Sequence, residues 1–210
     1  MYDALLFDLD GTLIDTESLA IASGLAAFAD VGFPVEVDFL HCLVGIDGPT
    51  SARIIQDRHP GLALDALNQV WRQGFQSAME QGLALKPGVT ELFAHATHLP
   101  RVLVTSSGRV EAHRKLGMVG LADAFAHVVT VDDVTRPKPA PEPYLLAAQL
   151  LGVSPGRCLV FEDSEAGSEA AHRAGCVVVQ VPDVVPSQGR WAHHLAEDLL
   201  AGARAAGLLP

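Results

Sequence analysis

The stretch of residues 4–12 reads Ala4-Leu5-Leu6-Phe7-Asp8-Leu9-Asp10-Gly11-Thr12, four apolar residues followed by two aspartates and a glycine. Its apolar residues run on without alternation, which is typical of a strand buried on both faces of a parallel sheet. Asp8 stands where that strand leaves the core, and Gly11 permits a sharp turn at once. Because open parallel sheets bind ligands at the carboxyl ends of their strands, the stretch predicts a central strand with a ligand site beside it.

The carboxylates of Asp8 and Asp10 are two residues apart and would share one face of a regular strand. Two carboxylates ~4 Å apart repel by about 4 kcal/mol at an effective dielectric constant of roughly 20. A shared proton, a basic side chain or a divalent cation would offset this repulsion. Mg²⁺ suits such oxygen ligands, and a carboxylate beside it can attack phosphorus to give an aspartyl-phosphate. Taken alone, the pattern fits an ordinary strand end and polar turn equally well.

Composition narrows the functional classes. The chain has 210 residues, 49% of them hydrophobic, which is enough for a folded core with an accessory domain. The net charge of −11 argues against nucleic acid or an anionic membrane as partner, and no obligate protein partner is evident. The widely spaced Cys42, Cys158 and Cys176 predict reduced thiols rather than a disulfide framework or zinc site. No signal peptide or membrane-spanning run is visible, so we expect a cytoplasmic protein.

Beyond Pro87, apolar β-like runs alternate with helical segments. This alternation predicts a parallel sheet covered by helices on both faces, a three-layer α/β/α Rossmann-like core. The tail, residues 191–206, is rich in Ala and Leu and predicts a single packed helix. The predicted strands span 101–105, 127–131, 157–161 and 176–181, and the predicted helices span 89–96, 110–117, 144–151 and 168–174.

Residues 17–81 show helical patterns and no strand pattern, directly behind the first strand. Such a segment is unusual in an alternating α/β chain. We therefore expect an all-helical domain, residues 16–81, inserted into a core made of residues 1–15 and 82–210. Two apolar series at helical spacing support this expectation: Ala22, Leu25, Ala26 and Ala29, and Leu64, Leu67, Trp71, Phe75 and Met79.

Within the insert, the sequence predicts a turn and a further helix and leaves two roles open for a pair of aromatic residues. A turn is predicted at 45–49, followed by a helix that Thr50 or Ser51 caps and that extends to about Arg58. Trp71 and Phe75 either belong to the insert's own core, which we favour, or line a ligand pocket.

Polar residues follow four of the predicted strands, at the points where chemistry could use them. In a parallel sheet these ends share one edge, so we expect a single pocket that combines carboxylates, hydroxyl groups and one ammonium group. Individually each has an ordinary explanation, such as a helix cap, a surface lysine or a strand-to-helix turn, but their joint order argues against coincidence. The residues are Asp8 and Asp10, Ser106 and Ser107, Lys138, and Glu162 and Asp163.

Such a pocket suits phosphoryl transfer, which needs positioning and positive charge around the phosphoryl oxygens. A divalent cation held by Asp8, Asp10 and Asp163 would neutralise carboxylates and phosphate together. Lys138 would supply a further cation and Ser106 a hydrogen bond. Asp10 could protonate the leaving group and later deprotonate water.

Four motifs resemble those of the haloacid dehalogenase superfamily, and the insert resembles the C1-type cap of its β-phosphoglucomutase and sugar-phosphatase branch. The motifs are Phe-Asp-Leu-Asp-Gly-Thr at 7–12, Val-Thr-Ser-Ser at 104–107, Lys-Pro-Ala-Pro-Glu at 138–142 and Phe-Glu-Asp-Ser at 161–164. The resemblance implies Asp8 as nucleophile and Asp10 as general acid/base. It implies Mg²⁺ bound by Asp8, Asp10, Glu162 and Asp163. It also implies a phosphoryl group bound by Ser106, Ser107, Lys138 and the backbone amides of Leu9 and Asp10.

The expected function is therefore a Mg²⁺-dependent phosphatase that acts on a small phosphorylated metabolite such as a sugar phosphate. True dehalogenases carry an aromatic residue where this chain has Asp10, which disfavours dehalogenation. The main alternative is a phosphosugar mutase. The mutases that resemble this chain carry a His near position 20 and a basic residue in the turn after Val44-Gly45, whereas this chain has Ala20 and Ile46-Asp47-Gly48-Pro49.

Two cap residues each have two possible roles. Arg53 either replaces the missing base or, as we favour, is a solvated helix residue. His41 is either catalytic or, as we favour, structural. A further alternative is a phospho-accepting receiver module, but receivers are shorter and lack a helical insert after the first strand.

Overall fold

The computed structural model describes residues 1–44, 46 and 48–210, so Gly45 and Asp47 of the predicted turn lie outside the described residues. The chain divides into two compact units. One comprises Met1–Asp15 with Ala84–Pro210, and the other comprises Thr16–Leu83. Among the described helices, none combines the length and apolar character required to cross a bilayer.

The first unit is built on a six-stranded sheet with the order β3-β2-β1-β4-β5-β6, in which every pairing is parallel. All four residues of the central strand β1 are fully buried, as the apolar run predicts. The strands are β1 (Ala4–Phe7), β2 (Arg101–Val104), β3 (His127–Val129), β4 (Cys158–Glu162), β5 (Val177–Gln180) and β6 (His194–Leu195).

Both units contain helices. In the described part of the chain they are α1 (Glu17–Asp30), α2 (Val37–His41), α3 (Gly48–Arg58), α4 (Leu64–Gly82), α5 (Val89–His95), α6 (Arg109–Met118), α7 (Glu142–Leu151), α8 (Glu165–Arg173) and α9 (Leu199–Ala205), with short 3-10 turns at Val131–Asp133 and Pro155–Arg157.

The sheet of the first unit is covered on both faces. Ala4 and Leu6 point to a core shared with α7 and α8. Phe7 points the other way, where its ring stacks on Phe161 at 5.1 Å and meets Phe93 of α5 at 5.2 Å. Because neighbouring strand residues face opposite sides, this alternation confirms the three-layer α/β/α core.

The tail departs from the single helix predicted for 191–206. The backbone N–H of His193 donates to the Val178 carbonyl, and that of Ala196 donates to the Gln180 carbonyl, both at 2.9 Å. These bonds make β6 and satisfy the open edge of β5, which the Ala- and Leu-rich composition did not reveal. The short α9 begins only at Leu199, and Asp198 caps it, because its Oδ1 accepts from the N–H of Ala201 at 2.7 Å.

The second unit contains α1 to α4 and, within its described residues, no strand, as the sequence predicts. Its core includes Phe28, Leu40 and Leu67. Trp71 packs against this core and its Nε1–H donates to the Ala20 carbonyl at 2.9 Å, as the core interpretation predicts. Trp71 also lines a cleft together with Phe75. Arg53 is exposed, as expected for a solvated helix residue.

Two local predictions in this unit are wrong. The α3 helix begins at Gly48 rather than after a Thr50 or Ser51 cap. The α1 helix forms, but Ala22, Ala26 and Ala29 are exposed. The buried face instead comprises Ser23, Gly24, Ala27 and Phe28. The large Phe28 ring sets the buried side, and the small residues beside it allow close packing.

The Gly24 position of α1 generates a stability prediction. A Cβ there would lie 2.6 Å from Cζ2 of Trp71, whereas a Cβ at Gly74 of α4 would lie 3.7 Å from the Ser23 Cβ. Helix-interior Gly→Ala normally stabilises by about 0.5–1 kcal/mol, whereas overpacking costs about 1–3 kcal/mol. We therefore expect thermal unfolding to show a lower midpoint for Gly24→Ala and a raised one for the matched control Gly74→Ala. Equal shifts in the two variants would contradict this packing argument.

Candidate active site

Side chains from four separated segments of the first unit meet at the carboxyl ends of β1 and β4. Asp8 follows β1 directly, Glu162 ends β4, and Asp163 comes next. One carboxylate oxygen from each lies within 4.8 Å of the others. The strand order reverses between β1 and β4, which is where open α/β sheets form their binding crevice.

Lys138 lies at the centre of this cluster. Its Nζ donates to Asp8 Oδ1 at 2.6 Å, to Glu162 Oε1 at 2.5 Å and to the Val104 carbonyl at 2.8 Å. Only 5% of the side chain is exposed, so the surface-lysine alternative is wrong. The three N–H donors of the ammonium group each have an acceptor, and these contacts fix the charge between the two carboxylates.

Glu162 is fully buried and held on both oxygens. The Tyr144 hydroxyl donates to Oε1 at 2.6 Å, and the Ser164 hydroxyl donates to Oε2 at 3.1 Å. Gly167 makes room for this carboxylate, because a Cβ there would lie 1.9 Å from Oε1. Sequence reasoning missed both residues: Tyr144 was only part of the predicted helix 144–151, and Gly167 was given no role. Nothing in their spacing indicates the contact.

Asp163 and Gly11 are in close contact. Gly11 has φ +81°, and a Cβ on it would lie 2.4 Å from Asp163 Oδ2. Both the backbone conformation and the space therefore require glycine here. Thr12, whose hydroxyl donates to Asp163 Oδ1 at 3.3 Å, is a further site residue to which the sequence analysis gave no role.

Asp10 is held by a second set of side chains. The Ser107 hydroxyl donates to Oδ2 at 2.8 Å, and the Lys115 ammonium donates to Oδ1 at 2.7 Å. Lys115 is only 6% exposed, and the sequence analysis, which placed it within the predicted helix 110–117, gave it no role. Ser107, expected to bind phosphate, thus contacts Asp10, while Ser106 lies exposed at the end of β2.

Leu9 lies between the two aspartates. Its side chain is fully buried, and its carbonyl accepts from the N–H groups of Leu13 and Ile14. This turn anchors the segment that carries Asp8 and Asp10. The phosphate-binding roles of the Leu9 and Asp10 amides stay predictions.

Burial dominates the electrostatics of the cluster. It raises the pKa of Asp8 to about 8, with the Glu162 and Asp10 charges adding to the rise and Lys138 opposing it. Burial, followed by the charges of Asp8 and Glu162, also holds the pKa of Asp163 well above its usual range. For Lys138, burial alone would lower the pKa, but the charges of Asp8 and Glu162 outweigh it and raise the pKa.

The cluster contains more acidic than basic groups. Three clustered carboxylates face one buried ammonium group, so the cluster holds more potential negative charge than Lys138 can neutralise. Such a site takes up protons or binds an additional cation. The donor set is all oxygen, which suits a hard divalent cation such as Mg²⁺.

Comparisons with known proteins agree with this geometry. The family model of the haloacid dehalogenase-like hydrolases matches residues 2–175. Protein YhcW of Bacillus subtilis is 37% identical over 190 residues, covering 88% of this chain and 86% of YhcW. The fructose-1-phosphate phosphatase YqaB of Escherichia coli is 32% identical over 183 residues, covering 86% of this chain and 96% of YqaB.

A solved structure is similar along nearly the whole chain. The HAD family hydrolase from Deinococcus radiodurans R1, crystallised with bound phosphate and sodium, superposes with a TM-score of 0.85. It is 28% identical, and the match covers 99% of this chain and 97% of that one. By its sequence, its fold and the acidic cluster at its sheet edge, the chain belongs to the haloacid dehalogenase-like hydrolases.

Proposed function

We propose that this hydrolase is a Mg²⁺-dependent phosphatase that cleaves the phosphomonoester of a small metabolite, with Asp8 as nucleophile. The observation that carries the proposal is the buried Asp8 carboxylate, held by Lys138 beside Asp163. A fixed carboxylate, a fixed ammonium and a cation-binding acidic pair are what in-line attack on phosphorus requires.

The residues present fit a divalent cation. Asp8 and Asp163 offer oxygens close together, and burial, with neighbouring carboxylate charges adding to it, raises both pKa values. A bound cation would therefore stabilise their ionised forms. Glu162 belongs to the same cluster, but Lys138, Tyr144 and Ser164 occupy its oxygens. Asp8 and Asp163 would therefore hold the cation, joined by the Asp10 carbonyl as the family resemblance implies, while Glu162 holds Lys138. When bound, Mg²⁺ would neutralise charge on the phosphoryl oxygens.

The reaction divides between two aspartates. The Asp8 carboxylate attacks phosphorus to form an aspartyl-phosphate while the bond to the ester oxygen breaks. Asp10 gives its proton to that departing oxygen. In the second step Asp10 takes a proton from water, which attacks phosphorus and releases Asp8. Lys138, whose three N–H groups already have acceptors, places its positive charge beside the phosphoryl group. The exposed Ser106 hydroxyl and the amides of Leu9 and Asp10 donate to the phosphoryl oxygens.

The substrate class follows from the relatives. The E. coli relative is named for fructose-1-phosphate, which supports a sugar phosphate as substrate of this chain. We propose that residues 16–81 form a C1-type cap that contributes substrate selectivity to a core of residues 1–15 and 82–210. Ala20 stands where related mutases carry His, which supports hydrolysis over transfer between two positions of a sugar.

The proposal predicts activity that depends on both Mg²⁺ and Asp8. Purified protein with Mg²⁺ should release phosphate from some members of a panel of sugar phosphates and other phosphomonoesters. Asp8→Asn, which keeps shape but removes the nucleophile, should reduce the turnover number at least ~10³-fold. Arg173→Met, which removes a half-exposed cation on α8, serves as the control with unchanged activity.

Three outcomes would contradict the proposal. They are an inactive wild type across the panel, an Asp8→Asn variant as active as wild type, or interconversion of sugar 1- and 6-phosphates without phosphate release. A phospho-Asp8 that persists for hours without turnover would instead indicate a receiver-like module.

Metal removal should make stability depend on pH. In the cation-free protein Asp8 has a folded pKa of about 8, above an unfolded value of about 4. The folded chain thus binds more protons than the unfolded one in this window, so the free energy of unfolding falls as pH rises from about 4 to about 8. In EDTA, thermal midpoints should decline over that range, and Mg²⁺ should restore stability most at the alkaline end.

The matched control is Asp8→Asn, which cannot ionise and should show a shallower decline and a smaller Mg²⁺ effect. Midpoints of wild type in EDTA that rise with pH, or that equal those of Asp8→Asn throughout, would contradict this assignment.

A further inference from the structure

Both carboxylate oxygens of Asp10 accept hydrogen bonds from side chains to which the reaction steps above give no role. Oδ1 accepts from Lys115 at 2.7 Å and Oδ2 accepts from Ser107 at 2.8 Å. The Lys115 ammonium also lies 3.4 Å from the Ser107 hydroxyl, which closes a triangle of three polar groups. Asp10 itself keeps 27% of its side chain exposed, so its carboxylate remains accessible to a ligand.

Lys115 is an unusual residue for its position. Lysine is almost never fully buried unless its charge is paired, and only 7% of this side chain is exposed. The nearest other carboxylate, Glu111, lies 4.0 Å away and is 40% exposed. Asp10 is therefore the main ion-pair partner of the buried Lys115 ammonium group.

We propose that Lys115 is a positioning residue for Asp10, a role that rests on the proposed function. Together with Ser107 it fixes the Asp10 carboxylate in one orientation. Its ammonium also stabilises the ionised Asp10 carboxylate that remains after the proton has passed to the ester oxygen. The nucleophile and the proton carrier thus each have their own lysine, Lys138 for Asp8 and Lys115 for Asp10.

The chemical consequence concerns proton transfer rather than binding. As the bond between Asp8 and phosphorus forms and the ester bond breaks, the proton of Asp10 moves to the departing oxygen. The reverse transfer, from water to Asp10, accompanies release of phosphate from Asp8. Both transfers require the carboxylate within hydrogen-bond reach of the reacting oxygen, so a loosened Asp10 slows chemistry while leaving phosphate contacts in place.

The first experiment compares Lys115→Met, which keeps the length of the side chain, with Lys115→Arg, which keeps the charge. For a sugar phosphate, Lys115→Met should lower kcat about 10- to 100-fold while KM changes by less than about 3-fold. Lys115→Arg should recover part of that loss. The control Arg173→Met, whose partner Glu169 is four residues away on α8, should match wild type.

A change of leaving group separates proton donation from general damage. The p-nitrophenolate group departs without protonation, so Lys115→Met should leave the initial burst from p-nitrophenyl phosphate within about 3-fold of wild type. A burst that falls as much as the sugar-phosphate rate would overturn the proposal.

A double-mutant cycle tests whether Lys115 acts through Asp10. In the Asp10→Asn background, Lys115→Met should cause no further loss of kcat, because the group it positions is gone. The same cycle read by thermal unfolding, which needs no activity, should show coupling between the two positions. Additive losses in both readouts would mean that Lys115 is merely structural.

The outcomes distinguish this inference from the function on which it rests. An inactive wild type overturns the proposed function and this role with it. An active wild type with a Lys115→Met variant of equal kcat overturns only the role of Lys115. Should Lys115→Met fail to fold, Lys115→Gln takes its place in every comparison.

Discussion

The ion cluster of Lys138 with Asp8 and Glu162 is the constraint on which the site depends. The parallel register pairs Phe7 with Phe161, so Asp8 and Glu162 leave neighbouring strands at the same level. The N–H of Asp8 donates to the Phe161 carbonyl at 3.0 Å, which fixes this alignment at the point where β1 ends. Two carboxylates placed side by side by a backbone ladder must share a cation, and Lys138 enters from another loop to provide it.

The charged side chains of the site form two groups that differ in how far they are buried. In the inner group, Glu162 is fully buried and Lys138 nearly so, so that breaking the pair would leave a charge without a partner. In the outer group, Asp10 is part-exposed and its partner Lys115 is buried. A rigid inner group suits attack on phosphorus, and an accessible but oriented outer carboxylate suits proton exchange with substrate and water.

The sequence predicts those parts of the molecule that depend on local pattern. The apolar run at 4–7 indicates the buried central strand, and the strand-end residues Asp8, Lys138, Glu162 and Asp163 lie together. Local sequence patterns gave wrong or missing predictions where a contact with residues far along the chain determines the structure. The exposed edge of β5 recruits residues 194–195 as a strand, and the contact of Lys115 with Asp10 spans 105 residues. No periodicity within a helix or tail encodes such partners.

Two glycines make room for the carboxylates of the site. Gly11 and Gly167 each lie where a Cβ would overlap a carboxylate, that of Asp163 in one case and that of Glu162 in the other. A methyl group at either position would push a carboxylate away from the cluster and change its distance to Lys138 or to Asp8. These two glycines leave room for the carboxylates to lie close together, and Gly11 also adopts a backbone conformation that favours glycine.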